Sequence, residues 1–141
     1  MLVVLKKVKI HDDISDETTC FSAEIWADDV KIATVENSGK GGSNDYWPIN
    51  RGKFSEFVEH CKTIPHEFEC DITDQYVDTL LADYEEQKLI KRNCKKNTMY
   101  RIKGDTIGEW RIIKAPYSPH IEQELVKKYG DTLETIANKT A

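Results

Sequence analysis

The sequence contains no run of eighteen apolar residues, so no membrane-spanning helix is expected from it. Its four cysteines, Cys20, Cys61, Cys70 and Cys94, include no C-x-x-C pair. The start, M-L-V-V-L-K-K, is too short and wrongly ordered for a secretory leader. Free thiols in a reducing cytoplasm are therefore expected. G-x-S-x-G, H-E-x-x-H and the kinase motif set are all absent, which makes a non-enzyme the first expectation. A Cys–His pair would form in space rather than in sequence, so Cys20 and Cys94 stay open as nucleophiles. No repeat, low-complexity stretch or dividing linker occurs. The 141 residues are read as one domain, 1–141, long enough to bury about 68% of the unfolded surface.

Charge is uneven. The net value of −5 argues against general nucleic-acid binding, which leans on basic surface. Yet residues 63–87 hold eight acids and no Lys or Arg, and residues 88–103 hold seven Lys or Arg and no acid. Part of this swing suits a helix, with Asp74 and Asp78 near its start and Lys88, Lys91 and Arg92 near its end. Lys95, Lys96, Arg101 and Lys103 lie beyond it, with Tyr100 and Trp110 nearby. These seven cations form a candidate contact for a partner or nucleic acid. A solvated face is the plainer reading.

The stretch N-S-G-K-G-G-S-N-D-Y-W, residues 37–47, holds three of the seven glycines. Gly39, Gly41 and Gly42 permit sharp turns, and successive N–H groups in such a loop form an anion-binding concavity. Lys40 adds a cation, Asn44 and Asp45 polar groups, and Tyr46 and Trp47 flat rings. Lys40, Gly41, Gly42, Asn44, Asp45, Tyr46 and Trp47 are thus the candidate ligand site, for a phosphate-bearing or ring-bearing molecule. The spacing matches neither a Walker A loop nor a dinucleotide loop. The alternative is a plain sheet-to-helix connector. His60, Cys61, His66 and Cys70 are spaced unlike a structural zinc site, and Cys61 falls on an apolar helical stripe. No metal and no cofactor are expected.

Strands are expected over 2–10, 19–28 and 30–36, an antiparallel meander with a turn at Asp28-Asp29. A helix over 51–64 follows, capped by Asn50 and stopped by Pro65, with Phe54, Phe57, Val58, Cys61 and Ile64 on one face. A second helix spans 73–92, capped by Thr73 or Asp74, with Val77, Leu80, Leu81 and Tyr84 inward. Residues 98–103 and 109–114 read as a hairpin. Ser118-Pro119 opens a helix with Ile121, Leu125, Val126 and Tyr129 inside, ended by Gly130. Asp131 and Glu134 suggest a short last helix with Leu133 and Ile136 inward. The fold class is α+β, a mostly antiparallel sheet with helices on one face.

From Phe21 to Asn44, F-S-A-E-I-W-A-D-D-V-K-I-A-T-V-E-N-S-G-K-G-G-S-N resembles a pattern in small uncharacterised proteins of bacterial viruses and plasmids. There a strand with F-x-A leads through an Asp turn to V-x-N-x-G-x-G-G; here the turn is D-D-V rather than D-G. The resemblance covers roughly a third of the chain and implies a setting rather than a mechanism. It implies a phage or mobile-element accessory protein that binds and inhibits a bacterial host factor, such as an anti-phage defence protein or its nucleotide signal. Two alternatives stand beside it. One is a small enzyme on a phosphorylated or nucleotide substrate, with Lys40 on the phosphate and Asp45 as general base. The other is a nucleic-acid-binding protein using the basic 88–103 segment.

Overall fold

Alternation sets the first sheet. Phe21, Ala23, Ile25 and Ala27 are buried, and Ser22, Glu24 and Trp26 between them face the other side. The computed structural model describes residues 1–140. It confirms an α+β fold, with three helices and two antiparallel sheets. Strands β1 (Val3–Ile10), β2 (Phe21–Ala27), β3 (Val30–Asn37) and β4 (Asp45–Pro48) form a four-stranded sheet in the order β1-β2-β3-β4. Asp28 and Asp29 both take positive φ, +48° and +65°, which suits the tight connection between β2 and β3.

Helices α1 (Arg51–Thr63) and α2 (Ile72–Asn93) follow. Asn50 caps α1 as expected, its side chain accepting from the Lys53 N–H at 3.0 Å. Phe57 and Cys61 from α1, and Val77 and Leu81 from α2, pack with Phe21, Ile25 and Val35 in one core. Phe57 is 0% exposed. Burial lifts the Cys61 thiol to about 11, so this cysteine is a core group.

The chain divides into two compact units, Met1–Ala82 and the residues from Asp83 onward, and α2 begins in the first and ends in the second. In the second unit, β5 (Thr98–Ile102) lies between β6 (Arg111–Ile113) and β7 (Leu133–Ile136) in a separate three-stranded sheet. Helix α3 (Pro119–Tyr129) packs Leu125 with Tyr100 and Ile136. Ile90, Met99 and Ala137 form a further cluster. Asn138 accepts from the Met99 N–H and donates to the Asn97 carbonyl, both at 2.8 Å. Among the described residues no helix is long and apolar enough to cross a membrane.

Four local expectations are corrected. Residues 45–48 form an edge strand paired with β3, because Asp45, Tyr46, Trp47 and Pro48 continue the ladder opposite Glu36, Val35, Thr34 and Ala33. Residues 133–136 form a strand rather than a helix, pairing with β5. Ile136 is buried and Leu133 packs against its cluster, so the pair faces inward as expected but from a strand rather than a helix. Helix α2 starts at Ile72, so Thr73 and Asp74 lie inside its first turn and are not caps. Val126 is exposed, leaving Ile121, Leu125 and Tyr129 as the inner face of α3.

Ile136→Ala should destabilise the second unit by about 2–5 kcal/mol, as truncations of buried Ile do. Val126→Ala should stay within about 0.5 kcal/mol. Chemical denaturation of both variants checks this, and equal losses would contradict the strand placement.

Candidate functional site

The glycine-rich loop is organised by one buried side chain, Asn37, at the end of β3. Its Oδ1 accepts from the Gly39 N–H at 2.8 Å and from the Thr18 hydroxyl at 2.8 Å. Its Nδ2 donates to the Gly42 carbonyl at 3.0 Å and to Asn44 Oδ1 at 2.9 Å. An Asn amide has two donor hydrogens and two acceptor lone pairs, so Asn37 is saturated. The Gly39 carbonyl in turn accepts from the N–H groups of Asp16, Glu17 and Thr18 at 2.9, 3.1 and 3.4 Å. The Gly41 N–H donates to the Thr18 hydroxyl at 3.3 Å.

Gly39 is required by this arrangement. It sits at φ +82°, and a Cβ there would lie 2.8 Å from Cys20 Cβ and 3.0 Å from the Ile14 carbonyl. Gly42 has nothing within 4 Å of such a Cβ.

The loop ends on a second polar cluster. The Asn44 N–H donates to Asp74 Oδ2 at 3.2 Å, and the Tyr46 hydroxyl donates to Asp74 Oδ1 at 2.6 Å. Asn44 Nδ2 reaches the Tyr46 oxygen at 3.4 Å. Burial, and then the bond to Asp74, push the Tyr46 hydroxyl far above its ordinary pKa, so it stays protonated as a donor. Its ring packs against Phe54 with centroids 5.7 Å apart. Asp78, one turn along α2, is exposed as a whole residue. Protein around its carboxyl, and then the Asp74 charge, nevertheless raise its pKa. A groove of about 420 Å³ beside the cluster is lined by Ser43, Asn44, Lys62, Asp71, Thr73 and Asp74, among others.

The seven loop candidates therefore separate. Asn44 and Tyr46 turn inward to Asp74. Lys40, Gly41 and Gly42 form an exposed tip, and Asp45 is exposed at the start of β4. Trp47, 50% exposed, faces the side of the sheet opposite the core. That open face also carries Trp26. Its indole N–H donates to Glu24 at 3.1 Å, and the Lys6 ammonium sits 4.0 Å above its ring. Lys31 pairs with Glu24 at 2.7 Å.

The basic candidates separate as well. Lys88, Lys91, Arg92 and Lys95 line one groove of about 380 Å³ with Tyr84 and Gln87. Arg101 is committed elsewhere: it bonds Glu134 at 2.9 Å and lies 4.7 Å over the Trp110 ring. Lys96 and Lys103 are exposed and do not line the groove. Tyr100 is buried and bonded to Tyr129, and the Trp110 indole donates to Glu86, so these two rings serve the fold.

Among the described residues no three His, Cys, Asp or Glu side chains converge as metal ligands. His66 places Nδ1 on the Ile64 carbonyl at 2.8 Å, Cys61 is buried and Cys70 is exposed. No buried side-chain polar atom among the described residues lacks a partner.

Sequence reasoning missed Asp74 as the loop's anchor. Its position suited the helix dipole equally well, and nothing in the spacing links it to Tyr46 across 28 residues. Trp26 was placed on the polar face of its strand, which was the available signal for the open face.

Gly39→Ala should cost about 1–3 kcal/mol, the range for a side chain held in a disfavoured backbone region. Gly42→Ala should stay within about 0.5 kcal/mol. Urea denaturation of the pair checks this, and a neutral Gly39→Ala would contradict the close packing. No family model, curated protein or solved structure matches the chain, so its function is argued from its own residues.

Proposed function

We propose that this chain is a non-enzymatic binding protein that engages a protein partner through the open face of its first sheet, with Trp47 as anchor. The observation that carries the reading is the pairing of a self-satisfied loop with a half-exposed Trp on an edge strand. Large aromatics with one polar end dominate binding energy where a partner covers them. Trp26, Lys6, Glu24 and Lys31 on the same face add an aromatic surface with fixed charges of both signs. Such a surface selects a protein partner by charge pattern as well as by apolar contact.

The resemblance of residues 21–44 to proteins of bacterial viruses and plasmids supplies the setting. In it the chain is a phage or mobile-element accessory protein in the host cytoplasm, and its partner a bacterial host factor such as an anti-phage defence protein, which it inhibits. The alternative of an enzyme holding a phosphate at Lys40, with Asp45 as base, has less support. The N–H groups of Gly39, Gly41 and Asn44 already have internal acceptors, one of them the Asp74 carboxylate. A phosphate on those three N–H groups would displace these bonds and, at Asn44, meet the like charge of Asp74. A host nucleotide signal at the loop meets the same obstacle.

Capture from bacterial lysates with wild type and Trp47→Ala, alongside thermal melting of each, tests the proposal. The expected outcome is a specific retained host protein that Trp47→Ala loses while melting like wild type. Equal capture by both proteins would remove Trp47 as the anchor. No retained protein across several hosts would overturn the function.

A further inference from the structure

The net charge of −5 conceals two units of opposite sign. Met1–Ala82 carries eight Lys or Arg against sixteen Asp or Glu, a net −8. From Asp83 onward there are twelve Lys or Arg against nine Asp or Glu, a net +3. Acidic charge therefore disfavours nucleic acid at the first unit and not at the second.

Within the second unit the cations are concentrated. Lys88, Lys91 and Arg92 recur along one face of the last turns of α2, and Lys95 extends the row just past its end. All four are exposed, and none is in an ion pair with a described residue, whereas Arg101, Arg111 and Lys139 each have a carboxylate partner. The acids nearest in sequence, Asp83, Glu85 and Glu86, do not line the groove, and Glu86 accepts from the Trp110 indole. Helix-dipole stabilisation falls off within the last turn, so it covers Lys91 and Arg92 but not Lys88 before that turn or Lys95 past the helix.

The row begins with a ring. Tyr84 lines the same groove, is partly exposed, and belongs to none of the three apolar clusters. The expected inward stripe of α2 thus stops at Leu81 in the first unit, and Tyr84 is left to the groove. From Tyr84 to Arg92, eight residues at 1.5 Å rise make a strip of roughly 12 Å, which Lys95 lengthens. That exceeds one phosphate group and suits a short run of nucleotides.

We propose that this face of α2 binds single-stranded nucleic acid, with phosphates on Lys88, Lys91, Arg92 and Lys95 and a base stacked on Tyr84. A cationic track beside an aromatic ring is the arrangement that holds a single strand without reading its sequence. A duplex keeps its bases stacked internally and gives Tyr84 no role. This site belongs to the second unit and Trp47 to the first, so either reading can fail alone.

Fluorescence anisotropy with labelled twelve-nucleotide oligo-dT and oligo-U, from 50 to 200 mM salt, tests it. Wild type should bind at least one oligomer at 50 mM salt. The logarithm of its affinity should fall against that of salt with a slope of roughly −3, as four phosphate contacts on a single strand require. Replacing Lys88, Lys91, Arg92 and Lys95 together by Ala should weaken binding at least tenfold with an unchanged circular dichroism spectrum, on the order of what losing four such contacts implies. Should that variant fail to fold, Lys91→Glu alone should weaken binding and flatten the slope. Lys127→Ala with Lys128→Ala, on α3, should leave binding unchanged. No binding at 50 mM salt, a flat salt response, or full binding by the α2 variants would overturn the proposal. So would a duplex of equal length binding as well as the single strand, or a mononucleotide competing at equal concentration.

Discussion

Asn37 is the constraint on which the first unit's exposed architecture depends. One buried amide uses both of its donors and one acceptor position within an eight-residue turn, and its second acceptor position takes the Thr18 hydroxyl from across the loop. In a buried site every such bond matters, because an unpaired amide there costs about 1–3 kcal/mol. Saturating it leaves few conformations for the turn. The glycines then serve the network: Gly39 lets the chain pass against Cys20, and its carbonyl gathers three N–H groups from the 16–18 segment. The loop delivers β4 to the sheet edge in a register that sends Tyr46 inward and Trp47 outward.

Asp74 does a related job from the helix side. It is the one charged group that the loop's last N–H and the Tyr46 hydroxyl meet, and it joins the start of α2 to β4. The two surfaces proposed for binding are the Trp26–Trp47 face and the cationic row of α2. They differ in chemistry as the two units differ in net charge, and a chain-wide average hides both.

Much of the fold was legible where side-chain period and burial agree. Phe21 to Ala27 alternates cleanly, Phe54, Phe57 and Cys61 repeat at helical spacing, and Asn50 and Ser118 cap where their side chains can reach N–H groups three residues on. Local pattern failed where the deciding partner is distant. Leu133 and Ile136 fit a helical face as well as a strand, and pairing with Tyr100 and Ile102 settles the choice. Residues 45–48 are too few to show a period, and their ladder partners come from β3. The candidate site was half legible for the same reason. Glycine content marked the loop correctly, but the acceptors of its N–H groups lie on Asn37, Thr18 and Asp74. The groove on α2 follows from helical spacing, which groups Lys88, Lys91, Arg92 and Lys95, whereas Arg101 was lost to a pairing with Glu134 that spacing does not reveal.

The central claim is that the glycine-rich loop is a self-satisfied strut rather than an open receptor for an anion. Amide hydrogen exchange of the wild-type protein, resolved by NMR, tests it most directly. The account predicts slow exchange at Gly39 and Asn44, whose N–H groups donate to Asn37 and Asp74, against fast exchange at the exposed Lys40 and Gly42. Fast exchange at all four positions, as in an unstructured loop, would contradict it.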